Sequence, residues 1–185
     1  MTTAADASGS IMSLLDYNNM DMAVPGWAFY ALFSYCSTLR EPPALPATTL
    51  GESCYLEMFS RCSSLTTAPE LPATTLANYC YRSMFAYCNS LTTLHELPAI
   101  NLRYHCYTNM FSDCTSLTTA PQLPATTLET SCYQSMFANC TSLTQAPILH
   151  ASSLAEYCYA YMFQNCTALT EAPDMYATNL VNYCF

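Results

Sequence analysis

The fold class that this sequence predicts is an α/β repeat solenoid, with one short parallel strand, room for a second, and one short helix in each 26-residue coil. Three observations predict it. Residues 45–174 are one 26-residue unit written five times, from LPATTLGESCYLEMFSRCSSLTTAPE to LHASSLAEYCYAYMFQNCTALTEAPD. The positions that stay fixed between copies are mostly apolar. Within each copy, a stretch with helix-like spacing alternates with a Thr- and Pro-rich stretch that cannot be helical. A unit of this size cannot bury its apolar face alone, so stacking must supply the core.

The copies can be aligned against each other. Ladders beginning at Leu50, Cys54, Tyr55, Met58, Phe59, Cys62 and Leu65 recur at steps of 26, and all twelve cysteines fall in two of them, Cys36 to Cys166 and Cys54 to Cys184. This divides the chain into a lead-in or cap over 1–18 and an array over 19–185. The array contains a degenerate first copy (19–44), five full copies (45–174) and a partial sixth (175–185). In the first copy Ala28, Leu32, Phe33 and Cys36 occupy ladder positions. The sequence stops at Phe185, partway through the sixth copy and without the polar cap that usually closes an array, so a longer parent protein is expected.

In CYxxMFxxC the fixed residues lie at offsets 0, 1, 4, 5 and 8, which at about 100° per residue cover an arc of roughly 140°. That predicts a short amphipathic helix with Thr49 or Thr75 near its start. The drifting residues, such as Arg82, Ser83, Ala86 and Tyr87, then fall on the opposite, outward side. In SLTTAPELPATTL the prolines (Pro69, Pro72, Pro121, Pro124) exclude a helix and leave short strands at LTT and ATT. Equivalent strands of successive coils should pair in parallel about 4.8 Å apart.

Composition narrows the function. The chain is 52% hydrophobic and 9% charged, has no lysine, and sets Arg40, Arg61, Arg82 and Arg103 against 13 acidic residues for a net charge of −9. Phosphate backbones and anionic lipid are both bound through clustered Lys and Arg, so nucleic acid and membrane surfaces are poor partners. No apolar run reaches the roughly 20 residues of a membrane span, and MTTAADASGS lacks the features of a secretion signal.

Helix geometry would put Cys54 and Cys62 about 12 Å apart along an axis and would separate same-ladder cysteines by the 8–10 Å between packed helices. Buried free thiols are therefore expected, with Cys62 to Cys80 the one bridge left open. No CxxC pair occurs, and His95, His105 and His150 occupy three different repeat positions, so neither a metal nor another cofactor is expected. Cys106 beside His105 is no nucleophile pair, because that cysteine belongs to the inward arc; nothing suggests an enzyme. Glu70, Glu96 and Asp174 share the last repeat position, but Gln122 and Ile148 interrupt the row and a solvated edge is expected. The NCT sequences at Asn139 and Asn165 match the glycosylation acceptor pattern.

The pattern MFxxCxSLTTAPxLPATTL resembles the leucine-rich repeats of BspA-like bacterial surface proteins, of the 26-residue variety. The resemblance covers nearly the whole chain, including the lead-in SGSIMSLLD. It implies a right-handed leucine-rich-repeat solenoid, exposure on a cell surface and a role in adhesion.

Two surfaces are candidates for recognition. The outward helix face carries Tyr79, Arg82, Tyr87, Tyr104, His105, Asn109, Tyr157 and Tyr161 among small polar residues, a mixture resembling that of paratopes. The sheet face carries a column of Thr66, Thr92, Thr118, Thr144 and Thr170, the side that solenoids often use for binding. The expected function is a non-catalytic, extracellular adhesion module that engages a host protein or a glycan. The alternative is a stiff spacer, or an element that self-associates end to end.

Overall fold

The computed structural model describes residues 5–16 and 22–185; the expected boundary at residues 18 and 19 lies outside the described residues. From residue 24 onward each copy lies against the next in a 26-residue register. Isolated parallel bridges join Val24 to Leu50, Thr49 to Thr75, Thr67 to Thr93, Asn101 to Thr127, Thr119 to Gln145 and Thr127 to Ser153. These contacts fall at the two places, LTT and ATT, where the sequence suggests strands. Both are reduced to single bridges; prolines follow the LTT segments and precede the ATT segments, and remove donors from any longer ladder there. Among the described residues only two strands form, β1 (Ala5–Asp6) and β2 (Leu39–Glu41), paired in parallel. The lead-in thus lies on the first copy, where Ser10 bridges Ala44 and Ile11 and Met12 are buried.

The expected helix is not there. Among the described residues the single helical element is a 3-10 turn at Ile11–Leu14. The CYxxMFxxC stretch is instead a run of overlapping β-turns. In the first full copy the amides of Cys54, Leu56, Met58, Ser60 and Cys62 each donate to the carbonyl three residues back, at 3.0–3.4 Å. The intervening amides point elsewhere. Those of Ser53, Tyr55, Glu57, Phe59 and Arg61 donate to carbonyls of the next copy, on Asn78, Cys80, Arg82, Met84 and Ala86, at 2.8–3.0 Å. Alternate peptide planes therefore lie within a coil and along the stack.

Such alternation requires the chain to reverse its twist. Every fourth residue does so, with positive φ at Ser53, Glu57 and Arg61, at Tyr79, Ser83 and Tyr87, and at the equivalent places in the other copies. A left-handed conformation at a residue other than Gly costs on the order of 1–3 kcal/mol. Each is held by cross-coil hydrogen bonds worth about 1 kcal/mol apiece and by neighbouring side chains whose burial is worth about 1.5–3 kcal/mol each.

Residues leave this run in pairs, two inward and two outward. Cys54, Tyr55, Met58, Phe59 and Cys62 are buried in the first full copy, and their counterparts are buried in the next three. The seventh residue corrects the wheel-based assignment: Ser60, Ala86, Ser112 and Ala138 are buried rather than outward. The side chains buried there are small, and Gln164, at the same position in the last full copy, is exposed. The inward rings form two continuous columns. Phe33, Phe59, Phe85, Phe111, Phe137 and Phe163 stack with centroids 5.5–5.9 Å apart and planes within 11°. Phe29, Tyr55, Tyr81, Tyr107, Tyr133, Tyr159 and Phe185 form the second, at 5.6–5.9 Å. The Tyr55 hydroxyl is buried without a partner, so this ring does not reach the edge as buried tyrosines usually do.

One glycine is fixed by close approach. A Cβ at Gly51 would sit 2.5 Å from the Gly26 nitrogen, whereas the later copies place Ala77, Arg103, Glu129 and Ala155 at the same step.

The turn run and the helix make opposite predictions for one substitution. Ser83→Gly, at φ 52°, should stabilise the chain by up to about 1 kcal/mol by relieving left-handed strain; in a helix it would destabilise by about 0.5–1 kcal/mol. Urea unfolding of both proteins decides between them, and a loss of stability in the Gly variant would rule out the turn run.

Candidate functional site

The outward members of the turn run form three columns, one for each positive-φ position. The first holds Trp27, Ser53, Tyr79, His105, Ser131, Tyr157 and Tyr183; the second Ala31, Glu57, Ser83, Asn109, Ser135 and Tyr161; the third Tyr35, Arg61, Tyr87, Asp113, Asn139 and Asn165. Because both flanking peptides are tied to neighbouring coils or turns, these side chains stand on a rigid backbone; most project outward, while those of Ser53 and Ser131 are buried.

Four of the eight residues expected on this face converge. Tyr79 stacks on His105 at 5.3 Å, Tyr104 meets His105 edge-on at 4.1 Å and Tyr79 edge-on at 5.3 Å, and the Arg82 guanidinium lies 5.8 Å from the Tyr79 ring centre. His105 Nδ1 is 2.9 Å from the Thr108 hydroxyl, which itself donates to the Ser131 carbonyl. With the hydroxyl proton so used, Nδ1 carries the hydrogen. Burial, and then the nearby Arg82 charge, lower the His105 pKa, so the ring is held neutral and ready to stack.

The other four are dispersed. Tyr157 stacks on Tyr183 at 5.0 Å, Tyr161 is exposed beside Met162 and Phe185, and Asn109 and Tyr87 lie on a separate shallow groove. Tyr87 is also covered by Arg61, whose guanidinium sits 4.0 Å from its ring centre and 5.4 Å from that of Tyr35.

The third column contains residues that the sequence reading passed over. Asn165 Nδ2 donates to Asn139 Oδ1 at 2.8 Å, and Asn139 Nδ2 donates to Asp113 Oδ1 at 3.1 Å. Ser112 Oγ donates to the other carboxylate oxygen at 2.7 Å. The two asparagines of the acceptor-like NCT sequences are thus knitted into a side-chain ladder. Their spacing of 26, in line with Asp113, Tyr87, Arg61 and Tyr35, was the available signal.

The Thr column is exposed from Thr66 through Thr92, Thr118 and Thr144 to Thr170, but its hydroxyls are partly engaged. Those of Thr92 and Thr144 donate to the carbonyls of Thr66 and Thr118 at 3.3 and 3.2 Å. The column therefore offers fewer free donors than its composition suggests. Glu96 of the last repeat position accepts from the Gln122 amide at 3.2 Å, tying one copy to the next.

The cysteines have a structural role. All twelve are free and all but Cys36 are buried. In the second ladder the thiols of Cys62, Cys88, Cys114, Cys140 and Cys166 lie 3.0–3.2 Å from the carbonyl oxygens of Phe33, Phe59, Phe85, Phe111 and Phe137, one coil back. The packed-helix distance does not separate them, since neighbouring coils meet at backbone hydrogen-bond distance; each of these five thiols is instead occupied by a carbonyl. Burial pushes the Cys54, Cys106 and Cys140 thiols up to about 12, well away from nucleophilic use at neutral pH.

Comparison with protein families, curated proteins and solved structures finds no match to this chain.

The raised thiol pKa values set a pH dependence. Above about pH 9 the unfolded chain loses thiol protons that the folded chain keeps until about pH 12. The unfolded state then binds fewer protons, so stability falls as pH rises, by about 1.4 kcal/mol per pH unit for each such thiol. Thermal unfolding between pH 7 and 11 should show a steep decline above pH 9. In parallel, iodoacetamide at pH 8 should label Cys36 alone until the chain unfolds, and rapid labelling of more than one thiol in the folded protein would contradict this arrangement.

Proposed function

We propose that this chain is a stacked-coil solenoid acting as a non-catalytic binding module, part of an extracellular or cell-surface adhesin that engages a host protein or glycan through its turn-run face. The observation that carries this reading is the contrast between the two sides of one backbone run. The inward side repeats Cys, Tyr, Met and Phe almost unchanged, while the outward columns vary in identity yet gather aromatic rings into the rigid Tyr79–Tyr104–His105 cluster and the Tyr157–Tyr183 pair. Fixed rings present contact area with little conformational entropy left to lose on binding. The resemblance of MFxxCxSLTTAPxLPATTL to BspA-like leucine-rich repeats supports the surface location and the adhesive role. Several coils engaging one repetitive ligand would gain from avidity.

A second reading is favoured by one further observation. The Phe and Tyr columns run without a break through the stack, together with its cross-coil hydrogen bonds, and so resist bending. A stiff spacer, or an element that associates with itself end to end, would use that rigidity and ignore the outward rings.

The two readings separate on a variant carrying Tyr79→Ser, Tyr104→Ser, Tyr157→Ser and Tyr161→Ser. Serine is tolerated in the left-handed conformation at Ser53, Ser83, Ser131 and Ser135, so folding should survive. On an array of extracellular-matrix proteins and glycans, the parent chain should bind saturably and the variant at least roughly tenfold more weakly, with an unchanged melting temperature. Binding by neither chain would leave the spacer reading in place, and equal binding by both would move recognition off these four rings.

A further inference from the structure

We propose that the groove walled by Tyr87, Asp113 and Asn139 binds an uncharged oligosaccharide laid along the stack. This rests on the binding-module reading and assigns it a ligand class and a site. The groove, of about 280 Å³, crosses four successive copies on the turn-run face. It exists because the second outward column places Ser83, Asn109 and Ser135 in a row between the larger Glu57 and Tyr161.

The polar wall is already oriented. Asp113 accepts from Ser112 through one oxygen and from Asn139 through the other, and Asn139 is itself held by Asn165. A carboxylate is an acceptor with room for about four hydrogen bonds, so each oxygen has capacity left for a ligand donor. Because the carboxylate cannot turn away, a ligand meets it without losing further side-chain freedom.

What fits is a group that donates to Asp113, both accepts from and donates to the Asn and Ser side chains, and lays a flat C–H face on Tyr87. A pyranose ring does all three. Charge argues for a neutral one. The Asp113 carboxylate in the wall and the net charge of −9 both disfavour sulfated or uronic polymers. An extended peptide is disfavoured because it would need open backbone groups to pair with. The amides of Ser83, Phe85 and Tyr87 already donate to the carbonyls of Thr108, Met110 and Ser112. The rise from coil to coil, set by paired backbones at roughly 4.8 Å, is close to the length of one sugar unit, so a linear glycan could repeat its contacts along the groove.

The test uses the full chain and four probes: cellohexaose, chitohexaose, maltohexaose and, as the charged comparator, a heparin hexasaccharide. Binding is read by titration calorimetry and saturation-transfer NMR. Ser135→Tyr fills the groove at a position whose counterpart one coil on is already Tyr161, in the same left-handed conformation (φ 53° and 58°). Asp113→Asn keeps the shape and removes the acceptor charge. At least one neutral hexasaccharide should bind saturably and the heparin fragment should not. Both substitutions should weaken that binding roughly tenfold, with the melting temperature unchanged. No neutral binding at millimolar probe, preferential binding of heparin, or unaltered affinity in Asp113→Asn would overturn the proposal; if Ser135→Tyr fails to fold, Asp113→Asn alone decides. A variant carrying only Tyr79→Ser, Tyr104→Ser and Tyr157→Ser touches none of the residues that line or bound this groove, so loss of its array binding beside failed glycan binding here would sink only the glycan assignment.

Discussion

Everything in this molecule depends on alternate peptide planes standing along the stack. The plane between Cys54 and Tyr55 accepts from Phe29 of the copy before and donates to Cys80 of the copy after, and its equivalents do the same in the following coils. Peptides that point along the stack cannot close turns within the coil, so the remaining ones must. The chain meets both demands only by entering the left-handed region every fourth residue. From that follow the inward and outward pairs of side chains, the 26-residue register and the aromatic columns. The standing peptides also share one direction, with amides toward the later copies, so their dipoles add as they do in a helix.

Much of this was legible in the sequence, and the part that was not has an identifiable cause. The 26-residue copies and the inward ladders could be read from spacing; the expectation of free thiols rested on helix distances that this backbone does not have. The helix could not be told from a turn run, because offsets 0, 1, 4, 5 and 8 suit a period of 3.6 residues and suit a period of 4 better; nine residues are too few to separate them by eye. The usual sign of left-handed backbone is Gly, with Asn or Asp next. Here the positions hold Tyr79, Arg61, Glu57 and Trp27 as readily as Asn109 or Asp113, so residue type concealed the conformation. For the site, Tyr79, Tyr104 and His105 were singled out by composition and do meet. Asp113, Asn139 and Asn165 were missed because they were read by local motif rather than by column.

The cysteines show how closely the repeat is fitted to this backbone. The Phe59 carbonyl accepts from the Cys62 amide within its coil and still has a lone pair facing the next, and the Cys88 thiol fills it at 3.1 Å. A valine there would leave that lone pair facing hydrocarbon, and a serine would place a smaller, more strongly hydrated group where burial must be dry. A thiol is apolar enough to pack and polar enough to cap a carbonyl. Packing and carbonyl capping therefore account for the five buried cysteines of that ladder, from Cys62 to Cys166.

The same device separates stability from the identity of the surface. Residues in the inward pairs carry the core and tolerate little change, since each ring in a column touches the one above and the one below. Outward residues contribute their backbone to the hydrogen-bonded frame whatever side chain they bear, so side chains can change without loosening the frame that displays them. Tyr87 illustrates this: its amide joins the frame through the Ser112 carbonyl, while its ring is free to stack on Arg61 and to wall a groove. A surface held this firmly would lose little entropy in any contact, and a repeat built this way can vary its outward side chains from coil to coil while leaving its fold alone.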